Sequence, residues 1–87
     1  MANKKNWKFS TKAIHIGNEA DKESGSVSPP IHLTSTFKQD AVGKTRGFEY
    51  SRVSNPTRQR LEKNLAALDN AKHAICYSTG MAATTAL

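Results

Sequence analysis

Residues 1 to about 47 carry no sustained hydrophobic period, and this constrains the chain more than any single motif does. Without apolar positions recurring every 3.6 or 2 residues, a segment has no stripe to bury and builds no layer of its own. Ala13-Ile14-His15-Ile16-Gly17 is a short apolar patch, residues 18–28 are polar and contain Gly25, and residues 43–47 are again loop-forming. Ser28-Pro29-Pro30 cannot lie inside a helix, because proline lacks the donor and restricts the residue before it. Residues 31–37 alternate crudely and are β-branched enough for a short extended piece. Such a segment is expected to lie on something else, either the rest of its own fold or a neighbouring subunit.

The second half obeys local rules. Asn55 is a good N-cap, and Pro56 fits a first helical turn, where its missing N–H costs nothing. Leu61, Leu65 and Leu68 then form one apolar stripe, with Arg58, Glu62, Lys63 and Asn64 on the other faces. Asp69-Asn70 reads as the stop. His73-Ala74-Ile75-Cys76-Tyr77 reads as a short buried strand, Ser78-Thr79-Gly80 as a turn, and Met81 onward as the start of a helix. Helix, strand, tight turn and helix is the grammar of an α/β sheet. Leu87 falls inside that last helix with no Gly, Asn or Pro to close it, so the chain is expected to be part of a longer fold.

Composition narrows the function classes. Thirteen Lys and Arg against seven Asp and Glu give a formal charge of +6, which can mark nucleic acid or an anionic membrane as partner. The charge is scattered, however: Lys4, Lys5, Lys8 and Lys12 lie near the start, far from Arg52, Arg58 and Arg60, and no nucleic-acid-reading motif accompanies them. No nucleic-acid or membrane partner is expected. The lysines of residues 1–9 precede no apolar run, so they form no secretory leader, and no stretch approaches the ~20 apolar residues of a spanning helix. Cys76 is the one cysteine, which excludes an internal disulfide and favours a reducing compartment, so the expected location is cytoplasmic. His15, His32 and His73 lack the spacing of metal ligands and are read as structural, and Cys76 as buried filler.

Two clusters could carry chemistry. Gly80 stands where a strand–turn–helix passes into its helix, where unpaired N–H groups and the helix dipole suit an anion such as phosphate. The plain alternative is a connecting turn. Phe48-Glu49-Tyr50-Ser51-Arg52 is the second cluster: an arginine fork matches phosphate oxygens and a tyrosine hydroxyl can add a bond. Its plain alternative is a solvated arginine beside a core tyrosine.

Together the clusters point further. Tyr50-Ser51-Arg52-Val53-Ser54-Asn55-Pro56-Thr57-Arg58 resembles the YSRxxNPTR signature of the cystathionine γ-lyase/γ-synthase family, and Ser78-Thr79-Gly80-Met81-Ala82-Ala83 resembles its SSGMAA turn. Ala13-Ile14-His15-Ile16-Gly17, Pro29-Pro30-Ile31 and Ser35-Thr36-Phe37-Lys38-Gln39 match the family's opening in the same order. The resemblance covers nearly the whole chain. Val53-Ser54, Thr79 and Asn70 depart from the family's commoner residues without removing a phosphate contact.

The resemblance implies an α/β protein of the type I, aspartate-aminotransferase-like transferase fold, with pyridoxal 5'-phosphate as cofactor. Residues 1–54 would form an arm and loop against a neighbouring subunit, and residues 55–87 the start of the cofactor-binding domain. Backbone N–H groups of Gly80 and Met81 would hold the cofactor phosphate of their own subunit, and Tyr50 and Arg52 that of the neighbour, within a homotetramer built as a dimer of dimers. Glu49 would pair with the distal ammonium of the substrate. The implied reaction is γ-elimination from cystathionine to cysteine, 2-oxobutanoate and ammonia, a step of cysteine biosynthesis. The Schiff-base lysine is not among the lysines present, so no catalytic residue is assigned and the chain alone is expected to be inactive. γ-Synthase, β-lyase and methionine γ-lyase chemistry stay open, as do a truncated assembly partner and a basic binding module.

Overall fold

The computed structural model describes residues 6–87. Lys4 and Lys5, and with them most of the N-terminal stretch read as no secretory leader, lie outside the described residues. Three helices follow in chain order: α1 (Phe9–His15), α2 (Pro56–Leu68) and α3 (Gly80–Ala86).

α2 starts as its sequence dictates. Asn55 is extended (φ −148°, ψ 137°), its side-chain oxygen accepts the Thr57 N–H, and Pro56 fills the first helical position. The helix ends in a Schellman motif: Asn70 takes a left-handed φ of 55°, its N–H reaches the Ala67 carbonyl, and the Ala71 N–H reaches that of Ala66. Asparagine tolerates this conformation where glycine is the usual choice, so Asn70 keeps the stop.

α1 was not anticipated by the sequence reading, which found no period there. It has no side-chain N-cap, so its stability comes from contact with α2. The Asn64 side chain donates to the carbonyls of Lys12, Ala13 and Ile16 at 3.2, 3.1 and 2.7 Å; Lys12 already accepts the Ile16 N–H, whereas Ala13 and Ile16 lie at the helix end, where intrahelical donors run out. Gly17 then passes α2 at φ 83°, so close that a Cβ there would strike the Arg60 carbonyl oxygen. Only glycine meets both demands. Asn64 therefore faces α1 rather than solvent.

Residues 36–50 close on themselves. Thr36 and Tyr50 form an antiparallel bridge, flanked by Phe37 N–H to Glu49 C=O (3.0 Å) and Ser51 N–H to Ser35 C=O (2.8 Å), with the Phe37 and Phe48 rings 5.7 Å apart. The extended piece expected over residues 31–37 is thus reduced to one bridge. In the 18–28 loop, the Ser24 hydroxyl and amide both donate to the Asp21 carboxylate, holding its pKa below the ordinary 3.8. That support is complete above the ordinary value and is lost as pH falls through the lowered one.

The buried strand expected over residues 73–77 is absent: among the described residues only isolated bridges form, Ile75 is exposed, and Cys76 is half-buried rather than core. A strand needs a neighbour to take its backbone groups, and the described residues offer none. The leucine stripe is uncovered for the same reason, with Leu61 51% and Leu65 41% exposed, while Ala66 is the apolar residue that is buried. The radius of gyration, 15.1 Å, exceeds the ~12 Å of a compact domain of this length. No described helix is long and apolar enough to cross a membrane.

So thin a core predicts that the isolated chain does not hold this arrangement. Far-ultraviolet circular dichroism should show weak helicity that fades on heating without a cooperative transition. A sharp sigmoidal melt of the purified chain would contradict this.

Candidate functional site

The Asn55-Pro56-Thr57 junction positions the first cluster. Besides capping α2, Asn55 donates from its amide nitrogen to the His32 carbonyl (3.2 Å) and the Ser51 hydroxyl (2.9 Å), while the Thr57 hydroxyl accepts the His32 N–H (2.9 Å). Asn55 is only 7% exposed, so these bonds satisfy a group that water does not reach. They pin the backbone of residue 32 and the start of the Ser51–Val53 turn to one helix end. The turn closes on itself, with the Val53 and Ser54 N–H groups both donating to the Tyr50 carbonyl at 3.0 Å.

Arg52 stands on this turn. Its guanidinium lies 4.9 Å from the centroid of the Tyr50 ring, a cation–π contact that holds the side chain without neutralising it. Arg46 is paired with Asp40 at 2.8 Å and Arg58 with Glu62 at 3.9 Å, whereas Arg52 has no carboxylate partner among the described residues. It is an exposed cation left free for an external anion. Tyr50 is also exposed, at 37%, so it is no core tyrosine. Glu49 is exposed, with its carbonyl engaged by Phe37.

The second cluster is the entry to α3. Thr79 is extended, and its hydroxyl accepts the Ala82 N–H at 3.0 Å, which fixes the first turn. The N–H groups of Gly80 and Met81 precede the first intrahelical bond and remain available. A Cβ on Gly80 would meet nothing within 4 Å, so nothing in this chain requires glycine there. An open space beside free donors fits a phosphate group approaching the backbone closely. With the unpaired Arg52 cation, the donor set suits pyridoxal phosphate at its phosphate end.

One open groove of about 650 Å³ runs from the Arg52 turn past Arg58 and Glu62 to Tyr77 and Ser78, stopping short of the α3 entry. Gly80, Met81, Tyr50 and Glu49 are not part of its lining. No group of His, Cys, Asp and Glu suited to a metal ion exists among the described residues. The sequence reading missed Arg58 and Glu62 as part of this groove. The Arg58 guanidinium donates to the Val53 carbonyl at 2.6 Å, and Glu62 accepts the Cys76 N–H at 2.9 Å. An oppositely charged pair four residues apart on a helix was the available signal.

The sequence matches the model of the Cys/Met metabolism PLP-dependent enzyme family over residues 10–87. The chain belongs to that family. Bovine (Bos taurus) cystathionine gamma-lyase is 52% identical over 80 residues, which are 91% of this chain and 20% of that protein. The crystal structure of yeast cystathionine gamma-lyase superposes with a TM-score of 0.82 at 45% identity, covering 97% of this chain and 21% of that one. A cystathionine gamma synthase structure from Xanthomonas oryzae pv. oryzae, in complex with aminoacrylate and cysteine, gives 0.83 at 38% identity over 91% of this chain and 20% of that one. The chain thus spans about a fifth of the length of the curated relatives it matches. Its three helices and connecting loops are the fold of the corresponding segment of these family members.

Replacing Asn55 tests the junction, best in a full-length family member that carries the same segment. Asn55→Ala should lower stability by ~2 kcal/mol, combining a lost N-cap with a part-buried His32 carbonyl left without its donor. Asn55→Asp keeps the cap acceptor and loses the donor, so it should retain part of that stability. Denaturant midpoints give the energies, and amide exchange at His32 should quicken in both variants.

Proposed function

We propose that this chain is the N-terminal part of a pyridoxal-phosphate-dependent cystathionine γ-lyase that converts cystathionine to cysteine, 2-oxobutanoate and ammonia. The observation that carries this reading is the 52% identity, over nine-tenths of the chain, to a protein named cystathionine gamma-lyase. The unpaired Arg52 cation and the free N–H groups of Gly80 and Met81 support a phosphate-holding role. Bound pyridoxal phosphate supplies an electron sink for proton abstraction and elimination. The chain's own residues contribute binding and orientation: Gly80 and Met81 through backbone donors, Arg52 through its guanidinium, and Tyr50 through its hydroxyl and its ring beneath Arg52. The Schiff-base lysine lies outside this sequence in this reading.

The remaining expectations belong to the same proposal. The complete protein has the aspartate-aminotransferase-like α/β fold and assembles as a homotetramer in the cytoplasm. Residues 1–54 act as an arm against the neighbouring subunit, and residues 55–87 open the cofactor-binding domain. The uncovered Leu61 and Leu65 are consistent with such a setting. γ-Synthase activity is the second reading, favoured by the superposition on the Xanthomonas structure.

Glu49 is assigned to the distal ammonium of cystathionine. In the complete enzyme, Glu49→Gln should reduce kcat/KM for cystathionine by about tenfold and spare substrates lacking a distal charge. Equal losses across substrates would leave Glu49 a support for its loop.

Arg52 is assigned to the neighbour's site. Arg52→Ala subunits mixed with subunits lacking the Schiff-base lysine should regain about a quarter of wild-type activity. Half the pairs are then mixed, and each mixed pair has one intact site. If Arg52 acted within its own subunit, mixing would restore nothing beyond the sum of the parents.

A further inference from the structure

Arg58 and Glu62 form a continuous polar link between the two clusters. Arg58 grips the turn that carries Arg52 by two backbone carbonyls, Nη2 to Val53 at 2.6 Å and Nη1 to Arg52 at 3.4 Å. Its Nε lies 3.9 Å from Glu62 Oε2. The same oxygen accepts the Cys76 N–H at 2.9 Å. Cys76 belongs to the segment leading into Ser78, Gly80 and Met81, and no strand neighbour within the described residues holds that segment. One carboxylate oxygen thus takes the place of a missing ladder partner and is tied through an arginine to the other cluster.

Helix stability alone does not account for the pair. With arginine N-terminal to glutamate four residues on, it has the less favourable orientation with respect to the helix dipole. Glu62 also lies beyond the first turn of α2, where an acid would gain from that dipole. Both side chains are partly withdrawn from water, 34% exposed for Arg58 and 21% for Glu62, so their bonds are less screened than those of an open surface pair such as Arg46–Asp40.

We propose that Arg58 and Glu62 are positioning residues: the pair sets the approach to Gly80, at the chain's own site, and the Arg52 turn, at the neighbour's, and thereby governs how tightly each site of the enzyme grips the phosphate of its cofactor. The inference rests on the reading that Gly80 and Met81 hold the phosphate of their own subunit's cofactor and Arg52 that of the neighbour's. In this proposal Glu62 and Arg58 act through the backbone they hold, Glu62 at Cys76 and Arg58 at Arg52 and Val53.

Comparing pyridoxal phosphate with pyridoxal, which lacks the phosphate, isolates the effect. Dissociation constants of both ligands are measured on the complete enzyme stripped of cofactor, for wild type, Glu62→Leu, Glu62→Gln and Arg58→Lys. The quantity read is the ratio of the two constants. Glu62→Leu, which removes the acceptor for Cys76, should reduce that ratio on the order of tenfold or more. Glu62→Gln keeps an acceptor oxygen and should reduce it much less. Arg58→Lys keeps the charge without the two-carbonyl fork and should fall between them. A general loss of stability would weaken both ligands alike and leave the ratio unchanged, and that result overturns the proposal. Should Glu62→Leu fail to fold, Arg58→Lys decides by the same ratio, several-fold lower in support and unchanged in refutation. If the wild-type enzyme binds both ligands equally, the phosphate reading itself falls and takes this inference with it. A large wild-type ratio that Glu62→Leu preserves overturns the inference alone.

Discussion

The whole arrangement hangs on the Asn55 side chain. A buried amide must find partners for its oxygen and both its hydrogens, and this one finds them in three different places: the first turn of α2, the carbonyl of residue 32 and the hydroxyl of Ser51. The irregular first half and the helical second half are thereby joined at one point. Thr57 strengthens the joint by accepting the His32 N–H, so both backbone groups of a residue outside any regular element are satisfied. An irregular segment needs such side-chain partners because it has no ladder or helix of its own.

Asn64 repeats the device one face further along α2. Its three contacts finish the open end of α1, and Gly17 removes the side chain that would hold the two apart. α2 therefore works as a scaffold through polar bonds rather than through its leucines, which stay largely uncovered. With an apolar core this small, the stability of the segment depends on surroundings that bury Leu61 and Leu65. Polar joints fix geometry, and apolar burial from outside would supply most of the free energy.

This division suits the placement role proposed for the segment. Arg52 sits on a closed turn over the Tyr50 ring and keeps its charge free, while Arg46 and Arg58 spend theirs on carboxylates. Beyond the other end of the groove, the cap from Thr79 orders the turn that exposes the Gly80 and Met81 donors. Neither cluster is rigid by itself. α2 lies between them, and Arg58 and Glu62 reach from it to each side.

Local rules made much of this readable in advance. The Asn55–Pro56 start, the Asn70 stop, the loops around Gly25 and Gly43, and the entry to α3 all follow from backbone preferences of single residues, which act over a few positions and need no distant partner. The residues proposed to hold phosphate stand out as motifs for the same reason. What the sequence by itself determined, then, were the helix ends and the residue types offered at the two clusters. Tertiary structure decided the rest. α1 exists because Asn64 receives it, through contacts 48 to 52 residues distant that no periodicity reveals. Residues 73–77 are not a strand because strand structure belongs to a pair, and no described residue pairs with them. The faces of α2 away from the leucine stripe are where Asn64, Arg58 and Glu62 make their bonds. Charge and helical spacing say which side chains can reach outward, and only the folded arrangement supplies the backbone groups they meet.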